Sequence, residues 1–376
     1  MRKTFCVLPY IHAVYNPYGP TEKAGHVLPC CRYDSKIGKP ETVNVNDPNS
    51  KSLIFKNLQE ELTAGIKTKA CRKCWEDEEI GVQSYREGAN STYRDIIKSG
   101  EYKDQKLRFL EITPSNLCNL ACRSCNSDFS SKWVPIDNFI ASDRKKKSID
   151  YTDWRKLDLT NLLELKLMGG EPMMLKDNLE LLRHLDKIDA LKNIHLHLIT
   201  NLMNPITDQW KYFIDKTRKT YVWASIDAIG ELNDYVRAQS DWNVIEKNLL
   251  EINDFLKNKH LCRLSVNTVI TILNVNKTLE IEEYFDSLKI KNYMDVTSFP
   301  EHLDCKKLPL SVKNSLIEKG MSKKVKDSIL NSDSKDNIID EFFRHNDKLD
   351  EYHKKTFKNY NYEMYDILKS NRSSND

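Results

Sequence analysis

No apolar stretch in this sequence approaches the roughly 18 residues that a transmembrane helix needs, so no membrane partner is predicted. The chain also has no large excess of charge of either sign. The 58 Lys and Arg against 55 Asp and Glu leave a net charge of +3, too small to indicate a nucleic-acid partner. The nine histidines form no H-E-x-x-H or similar motif, so no role is predicted for them. Hydrophobic residues make up 40% of the chain, which allows a buried core.

The cysteines exclude a secreted disulfide framework, because ten in 376 residues are too few for one. An apolar run over 5–11 is interrupted by Pro9 and has no small-residue cleavage site after it, so no signal peptide is expected. Tight grouping of thiols is typical of metal ligation and implies a reducing cytosol, which predicts a cytoplasmic protein. Seven of the ten cysteines are grouped in this way: Cys30, Cys31, Cys71, Cys74, Cys118, Cys122 and Cys125.

The most informative group is the C-x3-C-x2-C run of Cys118, Cys122 and Cys125. Three thiolates on one loop can hold three irons of a 4Fe–4S cluster and leave the fourth iron without a protein ligand. Such an open iron can bind and cleave a small molecule as well as pass electrons. Zinc is the alternative, but closed zinc sites prefer four protein ligands, often as two separated C-x2-C pairs. The spacing therefore favours the cluster.

Short apolar runs alternate with helical patterns from residue 107 onward. Between the runs, helical faces repeat apolar residues every three to four positions, as in Trp242, Ile245 and Leu249. This βαβα order predicts an α/β fold with parallel strands and right-handed crossovers. Six units fall short of the eight of a closed barrel and predict a partial (β/α)6 TIM-like barrel. The six strands are predicted at 108–113, 162–168, 194–200, 221–226, 263–270 and 293–297.

The chain is predicted to divide into four parts. Residues 1–90 are turn-rich and read as a small irregular cysteine-rich domain, which a bound metal would stabilise. Residues 91–105 are polar and read as a linker, and 106–300 form the barrel. Residues 301–376 show no clear strand and form a helical C-terminal extension, for which the clearest helix signal comes from apolar residues at 338, 339, 342 and 343.

Chemically useful side chains follow the predicted strands at the point where each ends. In α/β barrels the functional groups gather at these carboxyl ends, so several candidates at corresponding ends support one another. A plain turn after a strand or a surface helix arginine would explain any one of them alone. The candidates are the cysteine loop after the first strand, Gly169, Gly170, Glu171 and Pro172 after the second, Asn201 at the third, Ser225 and Asp227 at the fourth, and Arg237 after it.

With these motifs, residues 105–300 resemble the radical S-adenosylmethionine (SAM) enzymes. The resemblance implies that the amine and carboxylate of SAM bind the open iron of the cluster at Cys118, Cys122 and Cys125. It implies that the reduced cluster cleaves SAM to a 5′-deoxyadenosyl radical, which abstracts a substrate hydrogen. An electron donor such as flavodoxin or ferredoxin is then an expected partner.

The resemblance also implies roles for the strand-end residues. Gly169 and Gly170 lack Cβ, so the backbone can approach SAM closely, and Glu171 can accept hydrogen bonds from its ammonium group. Arg237 can pair with its carboxylate in a bidentate fork. Ser225 and Asp227 can bond the ribose hydroxyls. Asn201 resembles a Thr-Asn-Gly strand end of the family, although Leu202 replaces the glycine.

The N-terminal cysteines resemble the SPASM/Twitch auxiliary domains of some radical SAM enzymes. The resemblance rests on Gly25-x4-Cys30, an upstream cysteine and a downstream C-x2-C pair, although such domains usually follow the barrel. It implies a second 4Fe–4S cluster, and structural zinc remains the alternative because four thiolates suit either metal. Cys31 could replace Cys30. The implied ligands are Cys6, Cys30, Cys71 and Cys74.

The predicted protein is therefore a radical SAM oxidoreductase. The resemblance points to a peptide or protein as the substrate, because members with auxiliary domains often act there. A small molecule or nucleoside is the alternative substrate. A zinc or iron–sulfur scaffold without catalysis is the alternative function.

Overall fold

The computed structural model describes residues 3–16, 26–38, 53–141, 154–259 and 261–372. Gly25 and the last four residues of the predicted C-terminal extension lie outside the described residues. The described part of the chain contains no helix that is both long and apolar enough to cross a membrane. Its strands are β1 (His12–Asn16), β2 (His26–Leu28), β3 (Phe109–Ile112), β4 (Glu164–Leu167), β5 (His195–Thr200), β6 (Lys219–Ser225), β7 (Arg263–Ile270) and β8 (Lys291–Val296).

Helices connect these strands and form the C-terminal part. Short 3-10 helices lie at Lys69–Cys71, Glu101–Asp104, Ser131–Trp133, Trp154–Lys156, Pro172–Met174, Leu191–Asn193, Val275–Lys277, Glu301–Leu303 and Cys305–Lys307. The α-helices are α1 (Leu8–Ile11), α2 (Ser35–Gly38), α3 (Leu53–Ala64), α4 (Arg72–Glu79), α5 (Tyr85–Thr92), α6 (Arg94–Ser99), α7 (Val134–Phe139), α8 (Lys176–Lys187), α9 (Asp208–Lys216), α10 (Gly230–Val236), α11 (Trp242–Lys257), α12 (Thr278–Ser287), α13 (Leu310–Glu318), α14 (Lys323–Leu330), α15 (Ile338–His353), α16 (Phe357–Tyr360) and α17 (Tyr362–Ser370).

The chain forms two compact units that interleave along the sequence. Unit 1 comprises 1–115, 146–198 and 208–220, and unit 2 comprises 116–145, 199–207 and 221–376. The boundaries fall inside β5 and β6. Unit 2 therefore contains the cysteine loop and most of the strand-end candidates, whereas unit 1 contains the N-terminal cysteines and the Gly169–Glu171 segment.

Unit 1 contains strands in the order β2-β1-β3-β4-β5. The pairs β1–β3, β3–β4 and β4–β5 are parallel, and β2 is antiparallel to β1. One face of β4 and β5 is formed by buried leucines, such as Leu165 and Leu196. The other face of the same strands carries half-buried polar side chains, among them Glu164 and His197. This alternation follows from the period of two in a strand.

Unit 2 contains the parallel strands β6, β7 and β8 and all the helices from α10 onward. The C-terminal helices do not form a loose appendage. Phe342 and Phe343 of α15 are at most 1% exposed and belong to one apolar core with Leu232 of α10 and Ile270 of β7. Burying large aromatic side chains in this way contributes about 2–3 kcal/mol each.

The predicted α/β class is confirmed, and the alternation of strands and helices is compatible with the predicted partial barrel. All six predicted strands are present within two residues at each end, and β7 at Arg263–Ile270 matches its prediction completely. The N-terminal part is more regular than its turn-rich sequence suggested, because β1 and β2 add two strands to the sheet. The predicted linker at 91–105 is largely helical, since α6 and the 3-10 helix Glu101–Asp104 occupy it. The proposed domain boundaries remain predictions.

Candidate functional site

The loop that carries the three cysteines is fixed by backbone hydrogen bonds to the segment after α10. The amide of Ala121 donates to the carbonyl of Ala238 at 2.9 Å, and the amide of Arg123 donates to the carbonyl of Val236 at 2.9 Å. These two bonds flank Cys122 on one side and residue 237 on the other. The register of these two bonds therefore places Cys122 opposite Arg237.

Arg237 lies in an electrostatic environment set by the loop. Its side chain is only 12% exposed and donates from Nη1 to Asp227 Oδ2 at 2.8 Å. Burial opposes ionisation, but the nearby Cys122 and Asp227 raise the pKa of Arg237 above its usual value. Burial also opposes ionisation of the Cys122 thiol and raises its pKa to about 12, whereas the positive charge of Arg237 lowers that pKa. A buried guanidinium thus lies beside thiols that must lose protons to bind metal.

Asp227 has both carboxylate oxygens engaged within unit 2. Oδ1 accepts a hydrogen bond from the amide of Val269 at 2.9 Å, and Oδ2 accepts from Arg237. The carboxylate is therefore held by β7 and by the arginine together. Ser225, the last residue of β6, lies half-buried in register with Asn267. The predicted ribose contacts of Ser225 and Asp227 remain predictions.

Asn201 lies against the first cysteine of the loop. Its Nδ2 donates to Asn119 Oδ1 at 2.7 Å and is 3.8 Å from Cys118 Sγ. The following residue, Leu202, has φ of +61°, which is the left-handed conformation that glycine adopts without strain. The backbone thus keeps the conformation that the family's glycine would favour, although the side chain of Leu202 is completely buried.

Arg123, between the second and third cysteines, anchors the loop to helix α15. The side chain is 1% exposed and donates to Asp350 Oδ1 at 2.7 Å, to Asn346 Oδ1 at 2.9 Å and to the carbonyl of Tyr235 at 3.0 Å. Its guanidinium carbon lies 3.8 Å from the centroid of the Tyr235 ring. Trp133 adds a bond from Nε1 to the carbonyl of Cys122 at 2.9 Å. The sequence alone gave no reason to single out Arg123.

The Gly169–Glu171 segment, in unit 1, is built around a close backbone approach. Gly169 has φ of +134°, and a Cβ there would lie 2.7 Å from the carbonyl oxygen of Ser115. The amide of Gly170 donates to the same carbonyl at 3.1 Å. Glu171 is completely buried, and its Oε1 accepts from the amide of Met173 at 3.1 Å. The predicted contacts of these residues with SAM remain predictions.

Four N-terminal thiols lie within electrostatic range of one another in unit 1. Burial raises the pKa of Cys6 to about 12 with a further rise from Cys74, and it raises the pKa of Cys71 to about 12 with further rises from Cys6 and Cys74. Burial also raises the pKa of Cys30, with contributions from Cys31, Cys6 and Cys71. Cys6, Cys30 and Cys71 contact the same apolar core around Trp75. These are the four cysteines that the resemblance implies as one ligand set.

Cys31 faces a different environment from Cys30. The residue is exposed, and its thiol interacts with Glu111 and Tyr85. Glu111 Oε1 lies 3.2 Å from His12 Nε2, and Glu111 Oε2 lies 3.1 Å from Lys166 Nζ. Although burial opposes ionisation, these two partners hold the pKa of Glu111 at about 2. The surroundings of the two thiols favour Cys30 over Cys31 as the companion of Cys6 and Cys71.

The histidines of β5 form a cluster that sequence reasoning missed. Among the described residues, Glu164, His195 and His197 are the one group of three potential ligands whose donor atoms all lie within 4.8 Å of one another. Burial is the main cause and His197 the second cause that lower the pKa of His195 to about 3, so the His195 ring is neutral at neutral pH. The available signal was the H-x-H spacing in a predicted strand, which directs both rings to one face.

No protein-family model matches the sequence, and no curated protein matches it. Three solved structures illustrate its similarities. Hexahistidine-tagged anSMEcpe with bound AdoMet is 20% identical over 55% of this chain and 56% of that chain, with a TM-score of 0.36. Native anSMEcpe with AdoMet and Kp18Cys peptide is 17% identical over 71% and 62%, with a TM-score of 0.35. Streptococcus suis SuiB bound to S-adenosylmethionine is 17% identical over 87% and 71%, with a TM-score of 0.38.

These similar structures are radical SAM enzymes. The chain spans 56% and 62% of the two anSMEcpe chains, which is less than two thirds of their length.

Proposed function

We propose that this protein is a radical SAM oxidoreductase in which Cys118, Cys122 and Cys125 hold a 4Fe–4S cluster. The observation that carries the proposal is the alignment of Cys122 opposite the buried Arg237 through the Ala121 and Arg123 backbone bonds. A fixed cation beside the thiols favours their deprotonated form, which is the form that binds iron.

The residues present suit both the cluster and SAM. Three thiols on one loop provide the donor set of a cluster with one open iron. Within the described residues, Arg237 Nε is buried without a hydrogen-bond partner, so it is available to an anionic group such as a carboxylate. When bound, the cluster and SAM supply the reductive formation of a 5′-deoxyadenosyl radical.

The chain's own residues would bind and orient these groups. Arg237 would pair with the SAM carboxylate. Asp227 would hold that guanidinium in place through Oδ2, while its Oδ1 accepts a hydrogen bond from the amide of Val269. Ser225 would contact the ribose, and Asn201 would support Cys118. For Gly169, Gly170 and Glu171, which lie in unit 1, the contact with the methionyl ammonium of SAM is proposed from the resemblance alone; within that unit, only a glycine fits at position 169 beside the carbonyl of Ser115.

For the N-terminal thiols we propose an auxiliary 4Fe–4S cluster held by Cys6, Cys30, Cys71 and Cys74. Its support is the electrostatic interaction among these thiols, together with the interaction of the Cys31 thiol with Glu111 and Tyr85. A peptide or protein is the proposed substrate class, a reducing cytoplasm the proposed location, and flavodoxin or ferredoxin the proposed electron donor. The substrate class and the electron donor follow from the resemblance alone, and the location follows from the tight grouping of the thiols.

The test is anaerobic reconstitution with iron and sulfide, reduction, and measurement of 5′-deoxyadenosine after addition of SAM. We expect product from the wild-type protein and none from the Cys118→Ala/Cys122→Ala/Cys125→Ala variant. Cys305→Ala is the matched control, because Cys305 is a completely buried thiol outside both groups. If the wild-type protein forms no 5′-deoxyadenosine, with or without candidate peptides, the proposed radical SAM activity is refuted.

Iron content tests the auxiliary cluster in the same proteins. The variant that lacks the three loop cysteines should retain about four irons per chain if the N-terminal thiols hold a 4Fe–4S cluster. Zinc in place of iron would assign a structural zinc site instead. Replacing Cys30 by Ala should remove that metal, whereas Cys31→Ala should leave it bound.

A further inference from the structure

The polar face of β4 and β5 brings together three side chains that the proposed radical chemistry does not use. Glu164 is the first residue of β4 and pairs in register with His195, the first residue of β5. His197 follows two positions later and therefore points to the same face as His195. Its Nε2 lies 2.8 Å from Glu164 Oε1, and the two imidazole centroids are 4.0 Å apart.

We propose that Glu164, His195 and His197 form a binding site for one divalent transition-metal ion of the zinc class. Two imidazoles and one carboxylate are a donor set that zinc and iron(II) use in proteins, with open positions left for water or another ligand. The site shares no residue with either cysteine group, and the proposal does not depend on the radical SAM function.

The geometry is close to what a metal requires. In tetrahedral zinc, ligand atoms lie roughly 3.4 Å apart because Zn–N and Zn–O bonds are about 2.0–2.2 Å. The three donor atoms already lie within 4.8 Å of one another. All three residues are half-buried, which leaves a path for an ion to enter.

An outer hydrogen bond holds the carboxylate in place. Tyr93, which is buried, donates its hydroxyl to Glu164 Oε2 at 2.6 Å. The other carboxylate oxygen, Oε1, is the one directed at His197. Ligating carboxylates are commonly fixed by a hydrogen bond of this kind, and its loss typically weakens metal binding 10–100-fold.

The donor atoms of the site favour one class of ion. Glu164 supplies the single carboxylate, and the ammonium of Lys219 lies near His195. Calcium and magnesium require several oxygen ligands and gain little from imidazole nitrogen. The donor set is therefore suited to a nitrogen-preferring ion such as Zn²⁺ or Co²⁺.

The experiment uses the full chain after anaerobic reconstitution with iron and sulfide and desalting. Zn²⁺ binding is measured by titration and metal analysis, and Co²⁺ binding by absorption spectroscopy. We expect one equivalent of Zn²⁺ per chain that the His195→Gln/His197→Gln variant lacks. The matching Co²⁺ spectrum should show ligand-field bands without the charge-transfer bands of thiolate ligation.

The matched control is His302→Gln/His345→Gln, which replaces another pair of histidines with ring centroids 3.8 Å apart. It should bind the extra equivalent as the wild type does. Tyr93→Phe keeps all three ligands and should weaken binding 10–100-fold, which tests the site even where the double variant misfolds. Equal binding by wild type and His195→Gln/His197→Gln, or thiolate bands for the bound Co²⁺, would overturn the proposal.

Discussion

The anchor between the cysteine loop and helix α15 leads to a quantitative prediction for Asp350→Ala. Asp350 Oδ1 accepts from Arg123 at 2.7 Å and from the Tyr235 hydroxyl at 2.8 Å, and Oδ2 accepts from the amide of Phe357 at 2.8 Å. Removing the carboxylate leaves the guanidinium, which is 1% exposed, without its counter-ion. Breaking a buried ion pair from one side costs about 3–5 kcal/mol.

Urea unfolding of the apoprotein, followed by tryptophan fluorescence, measures this cost as a loss in the free energy of unfolding. Asp340→Ala is the matched control, since Asp340 lies in the same helix and pairs with Arg372 at 2.7 Å with both side chains more than 30% exposed. An exposed pair contributes at most about 1 kcal/mol. We also expect the Asp350 variant to retain less iron at the loop after reconstitution.

Two results would refute this reasoning. One is a free energy of unfolding for Asp350→Ala that matches the Asp340→Ala value. The other is an additive double-mutant cycle between Arg123 and Asp350, because residues in one buried network should couple by about 0.5–3 kcal/mol.

Three further predictions concern backbone conformation and acid stability. Gly169→Ala should destabilise the protein by about 1–3 kcal/mol, because the new Cβ would contact the carbonyl of Ser115 and φ is positive there. Gly88→Ala, in a helix with open space around it, should stabilise the protein by up to about 1 kcal/mol. Equal urea midpoints for the two variants would contradict this prediction. Leu202→Gly should be more stable than Leu202→Ala by about 1 kcal/mol, because both lose the buried side chain but only glycine relieves the left-handed strain; the reverse order in urea unfolding would exclude that strain. Because the pKa of Glu111 falls from 4.5 to about 2 on folding, up to about 3 kcal/mol of stability is present above pH 4.5 and is lost as the pH falls toward 2. The stability of Glu111→Gln should therefore depend less on pH in this range. The same pH dependence in Glu111→Gln and in the wild type would contradict the assignment.

The six strands of the α/β repeat could be predicted because each carries its own local pattern. In β7, buried and half-buried residues alternate along the whole strand, as the sequence indicated. The strand β1 could not be predicted in the same way. It is five residues long, and its partner residue Phe109 lies almost a hundred positions after His12. Pairing of that kind depends on tertiary contacts that a local pattern does not contain.

The candidate site was predicted only in part for a similar reason. The cysteine spacing indicated the loop, but the bonds that align Cys122 with Arg237 join segments more than a hundred residues apart. Arg123 attracted no attention in the sequence, because a single arginine between two cysteines is ordinary until its partners in α15 are known. His195 and His197 had a local signal in their spacing, yet their third member, Glu164, belongs to a different strand.

The contact between Arg123 and Asp350 also sets an order of events during synthesis. The two residues are separated by 227 positions. At roughly 5–20 residues per second, the ribosome adds Asp350 about 10–45 s after Arg123. During that interval the loop thiols exist without the helix that fixes them. If the loop holds the proposed cluster, its stable assembly would therefore follow the synthesis of α15.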